Sequence, residues 1–168
     1  MAHRIPTAAL LLAGWFGFQA PAQLDPLDAL AQAEKRWQQR RPPAYEFDIE
    51  VRCFCVGLQQ KPVSFRVRGS DVSALQELAP DARQTYSYYD TIDKLFEAIR
   101  RSLVRGQYKV AIEYEPDLGY PVRANLDPNE KTFDDELFLR VTAFRKLESP
   151  IALGLLNPPA PDGIRPAR

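Results

Sequence analysis

The sequence predicts an α+β domain: an antiparallel β-sheet with two α-helices packed on one face, in the order α-β-β(-β)-α-β-β-β. Three observations point there. Segments that alternate apolar and polar residues come in consecutive runs, which favours antiparallel pairing over βαβ units. Two other segments carry apolar residues at helical spacing behind residues suited to N-caps. The 168 residues, 45% hydrophobic and 26% charged, suffice for one ordinary core and fall short of two comfortable ones.

Residues 1–22 stand apart from that domain. His3 and Arg4 precede an apolar run from Ala8 to Phe18, and Ala20-Pro21-Ala22 supplies small residues for a signal peptidase. The run is too short to span a bilayer, so the expectation is a cleaved signal peptide and export to the periplasm or the extracellular space. No Cys stands at the cleavage site to carry a lipid. Cleavage after Ala22 removes the sole His and the sole Met. Without His the commonest general base near neutral pH is missing, and neither a Ser-His-Asp nor a Cys-His site fits within the chain. Losing Arg4 turns 22 basic against 22 acidic side chains into one net negative charge, which steers nothing toward nucleic acid or an anionic membrane.

The domain is expected over residues 23–148. Asp25-Pro26 opens the first helix, with Leu27, Leu30, Ala31, Glu34 and Trp37 at helical spacing and Pro42-Pro43 as its stop. Tyr45 to Cys55 alternates strictly, as a strand with one buried side does. Val63, Phe65 and Val67 repeat the pattern before the turn Gly69-Ser70-Asp71, and Val72 begins a third strand. Ala79 to Tyr89 has no clear period and reads as a long connection. The second helix runs from about Thr91 to Arg105 through Ile92, Leu95, Phe96, Ile99 and Leu103, ending at Gly106. Strands follow through Tyr108, Val110, Ile112 and Tyr114, then Tyr120, Val122, Ala124 and Leu126, then Leu137, Leu139, Val141 and Ala143. Gly119 and Pro121 are assigned to the turn between the first two of these. The prolines of residues 149–168 describe an extended, flexible tail. The two halves share a similar order, which permits an internal duplication, although no residue pattern repeats.

In their order along the chain, Tyr45-Glu46-Phe47, Cys53-Phe54-Cys55, Thr91-Ile92-Asp93-Lys94-Leu95-Phe96, Tyr114-Glu115-Pro116-Asp117-Leu118-Gly119-Tyr120-Pro121 and Asp134-Asp135-Glu136 resemble the exported bacterial proteins catalogued as domain of unknown function 6174. The resemblance extends from about Trp37 to Leu147. It implies an envelope or secreted setting and brings no activity, substrate or catalytic residue. Some of those relatives carry a lipidation Cys, which this sequence lacks.

Cys53 and Cys55 are the only cysteines, and in an oxidising compartment an internal disulfide is the simplest outcome. Residues two apart on an extended strand lie about 6.5–7 Å apart, near the upper limit for such a bond, so it needs a local bend. A strained bond of this kind leaves a redox role open. Asp127, Glu130, Asp134, Asp135 and Glu136 form an acidic group that suits either calcium or a solvated turn, but the invariant Gly of a calcium loop is absent. Tyr86, Tyr88 and Tyr89 offer an aromatic face for a ligand or partner, whereas Tyr114 and Tyr120 belong to strand interiors. The expected function is a non-catalytic exported module that binds a protein or a small-molecule ligand, with no cofactor, metal, nucleic acid or membrane span. A carboxylate-based hydrolase is the alternative from another class, requiring only two carboxylates in a cleft.

Overall fold

A computed structural model describes residues 24–54, 58, 61–131 and 136–148. The expected signal peptide, its cleavage site, the Pro-rich tail, Cys55, Asp134 and Asp135 lie outside the described residues. The elements are α1 (Pro26–Arg40), β1 (Ala44–Arg52), β2 (Val63–Arg68), β3 (Asp71–Ala74), α2 (Pro80–Tyr86), α3 (Ile92–Val104), β4 (Lys109–Tyr114), β5 (Pro121–Asp127) and β6 (Leu137–Lys146). The six strands form one antiparallel sheet in the order β3-β2-β1-β6-β5-β4. The fold is α+β, as expected. Two-fold-related duplicate halves would pair equivalent strands at the centre, β1 with β4, whereas here β1 pairs with β6.

Local chemistry starts the two long helices. Asp25 accepts the Leu27 N–H at 2.8 Å and Pro26 takes the first helical position of α1. Thr91 accepts the Lys94 N–H at 3.1 Å, while the Tyr45 hydroxyl, reaching across from β1, accepts the Ile92 N–H at 3.3 Å. Tyr45 thereby pins the start of α3 to the sheet, and burial pushes its phenol up to about 12. All three helices cover one face of the sheet: Trp37 of α1 meets Tyr45 and Phe144, Tyr86 of α2 meets Phe65, and Phe96 of α3 stacks on Tyr114.

Several details differ from the sequence-based expectation. β1 ends at Arg52, short of Cys53. Pro121, assigned to the turn, is the first residue of β5 because its carbonyl side still pairs with Tyr114, while Tyr120, read as a strand residue, precedes the strand. The segment read as a long connection contains α2, started by Pro80 and held by Ala82 and Tyr86, which are buried one turn apart. With only two apolar anchors in one short helix, no period is visible. In α1 the buried stripe is Leu30, Ala33 and Trp37, while Leu27 and Ala31 stay exposed. The helix is rolled so that Ala33 lies under Gly119. In β6, Thr142 is an extra residue, since Asp48 pairs with Ala143 and Ile49 with Val141. This bulge turns Ala143 outward and brings Phe144 onto the core face beside Phe47.

Among the described residues the opposite face carries no helix, and it is laced by ion pairs. Glu46, only 5% exposed, lies between Arg66 of β2 and Arg145 of β6 and bonds both. The Arg66 hydrogen bond, helped by Arg145, holds its carboxyl below the usual value and outweighs the opposing effect of burial. A folded value below the unfolded one means the ionised carboxylate favours folding above the unfolded value, near 4.5, and that contribution fades as pH falls through the folded value. Glu46→Gln is therefore expected to flatten the loss of melting temperature on acidification from pH 5 to pH 3. Calorimetric scans of both proteins check this, and parallel acid profiles would overturn it.

Candidate functional site

At the end of the sheet where β1 finishes, a cleft of about 480 Å³ opens between the C-terminus of α3, the end of β5 and the start of β6. Its lining includes Cys53, Phe54, Tyr89, Arg101, Arg105, Gln107 and Glu136. Topology assembles it. The antiparallel β1–β6 register sets Arg52 opposite Phe138, so the residues following β1 and those preceding β6 meet here. The helical spacing of Arg101 and Arg105 turns both guanidiniums toward one side of α3.

Gln107 gives the cleft its sharpest polar feature. Its amide nitrogen donates to the Ser102 and Gly106 carbonyls at 2.8 and 2.7 Å, closing the open end of α3. The amide oxygen is buried and has no partner among the described residues. Arg101 reaches Glu97 only at 3.7 Å across exposed surface, and Arg105 and Glu136 make no ion pair among the described residues. Burial pushes the Tyr89 phenol up, opposed by the Arg101 charge beside it. Phe54, 88% exposed, projects from the rim, an uncommon position for so large an apolar ring.

The expected tyrosine face is not assembled as one surface. Tyr86 is 1% exposed and belongs to the core; Tyr88 is exposed; Tyr89 is half-buried in the cleft. Cys53 is half-buried in the cleft wall, and no free cysteine occurs among the described residues. Of the acidic group, Asp134 and Asp135 lie outside the described residues and the other three have separate surroundings. Asp127 accepts the Asn129 N–H at 3.0 Å, Glu130 accepts the Tyr108 hydroxyl at 2.8 Å, and Glu136 lines the cleft. Among the described residues no group of three or more Cys, Asp or Glu is placed to hold a metal ion, and no helix is long and apolar enough to cross a membrane. Sequence reasoning missed Arg101, Arg105 and Gln107. The two arginines stand where cations are ordinary, at a helix C-terminus, and only their shared side of α3 marks them.

The model of a family of unknown function, DUF6174, matches residues 29–146. The chain belongs to that family. The matched span begins inside α1 and ends on the last residue of β6, so it includes the whole sheet and every residue named in the cleft. No match was found among curated proteins or among solved structures.

Proposed function

We propose that this family member is a non-catalytic, exported binding module that holds a small zwitterionic ligand, a free amino acid or short peptide, in the cleft at the end of α3. The observation that carries the reading is the buried oxygen of Gln107, which has no donor among the described residues, in the cleft that Arg101 and Arg105 also line. With its nitrogen committed to α3, Gln107 has only an acceptor left to offer, and a buried acceptor without a donor costs about 1–3 kcal/mol. A ligand ammonium supplies that donor and has Glu136 as a second acceptor. A ligand carboxylate suits Arg101 and Arg105, which have no acid partner within the cleft among the described residues. Phe54, Tyr89, Pro128 and Leu137 provide apolar surface for the side chain. A Cys53–Cys55 disulfide belongs to this reading, as a tight local ring that holds Phe54 at the rim. Export rests on the leader-like composition of residues 1–22.

Isothermal titration of the purified protein with free amino acids, dipeptides and their N-acetylated forms tests the proposal. Saturable binding of the free forms is expected, with N-acetylation and Arg105→Ala each weakening it about tenfold or more, the loss of one charge-assisted hydrogen bond. Equal affinity for free and acetylated ligands, or no binding across the panel, would overturn it.

A further inference from the structure

Among the described residues β4 is the last strand on its side of the sheet and pairs only with β5. One whole edge of its backbone N–H and C=O groups thus has no strand partner among the described residues. The other edge strand, β3, has four residues, whereas β4 has six and contains neither Gly nor Pro. Lys109, Ala111 and Glu113 lie on the helix-free face of the sheet; Val110, Ile112 and Tyr114 lie on the helix side, with Tyr108 in phase just before the strand.

This pattern is complementary to itself when reversed. We infer that two copies of the chain join by antiparallel pairing of β4 with β4 about a two-fold axis through Ala111, forming one continuous twelve-stranded sheet from two six-stranded ones. In that register Lys109 faces the partner's Glu113 and Glu113 faces the partner's Lys109. Val110 meets the partner's Ile112, and Tyr108 meets the partner's Tyr114. Ala111 meets its own copy, so nothing bulky sits on the axis.

Neighbouring strands extend the match. Within one chain Lys109 pairs across to Asp127, and Glu113 to Arg123, whose guanidinium approaches it to 3.6 Å. Dimerisation turns these pairs into two rows of alternating sign, Asp127 and Lys109 followed by the partner's Glu113 and the partner's Arg123. Opposite charges set directly across strands stabilise the pairing, as do aromatic and β-branched pairs. On the helix side, a groove of about 500 Å³ runs between the start of α1 and β4, lined by Leu24, Pro26, Ala29, Val110, Ile112 and Tyr114. The partner's Tyr108 enters beside it, covering a ring that is 59% exposed in the single chain. Lys109 discourages foreign strands, as edge lysines do, while Glu113 makes the chain's own copy the matching one.

Sedimentation equilibrium of the purified protein should show a concentration-dependent monomer–dimer equilibrium. Lys109→Glu and Glu113→Lys, both at exposed positions, should each weaken dimerisation at least tenfold with an unchanged far-ultraviolet spectrum. Mixing the two variants should restore a dimer, because each then meets the opposite charge at both sites. A wild-type protein that stays monomeric throughout, or single variants that dimerise as wild type does, would overturn the inference.

Discussion

Replacing Trp37 by alanine is expected to remove about 3–5 kcal/mol of stability, a large share of what a domain of this size possesses. The indole has no exposed surface and meets Tyr45, Tyr120 and Phe144 edge-on, with centroids 5.4, 6.4 and 6.0 Å away. It joins α1 to β1, to β6 and to the turn entering β5, so the cavity left by truncation is bordered by elements that cannot all close upon it. Trp37→Phe keeps an aromatic ring and discards an N–H that has no partner among the described residues. Its cost should be about 1–2 kcal/mol. Urea unfolding followed by circular dichroism separates the two variants, and similar midpoints for both would show that ring packing is not what Trp37 contributes.

Gly119→Ala is expected to cost about 2–5 kcal/mol, combining about 1–2 for a left-handed residue bearing a Cβ with about 1–3 for overpacking. Gly119 has φ +86°, and a Cβ there would stand 2.3 Å from the Ala33 carbonyl oxygen and 2.9 Å from Arg36 Cβ. The turn has no freedom to back away. Gly119 N–H bonds the Glu115 carbonyl at 2.9 Å, Leu118 N–H bonds the Glu115 carboxylate at 2.5 Å, and Arg40 clamps the Asp117 carbonyl at 2.9 Å. Gly106 is the internal comparison. It has φ +85° but no atom within 4 Å of its Cβ position, so Gly106→Ala should incur only the backbone strain, about 1–2 kcal/mol. Equal losses at the two glycines, measured by the same unfolding assay, would show that the contact with α1 is not what restricts position 119.

The cleft was less legible than the fold. Cys53, Tyr89 and Glu136 were each singled out by composition, in three separate roles, yet they line one cavity. Nothing in their spacing of 36 and 47 residues suggests it. Gln107 was invisible for a different reason: its significance lies in which of its two amide atoms is satisfied, and that depends on the path of the last turn of α3.

By itself the sequence determined the features whose causes lie within a few residues. Asp25-Pro26 and Thr91 start helices because their side chains or rings meet nearby backbone, and alternation marks β1, β2 and β4 because side chains of a strand take opposite faces. Only the tertiary structure decided the rest. The Thr142 bulge that exchanges Ala143 for Phe144 in the core follows from pairing with β1, nearly 100 residues earlier in the chain. The roll of α1 that buries Ala33 instead of Ala31 follows from the approach of Gly119, and α2 is held by Phe65 and its neighbours rather than by its own propensity. Each of these is a contact between distant segments, and its free energy is gained only once the sheet has assembled. A local pattern does not record it.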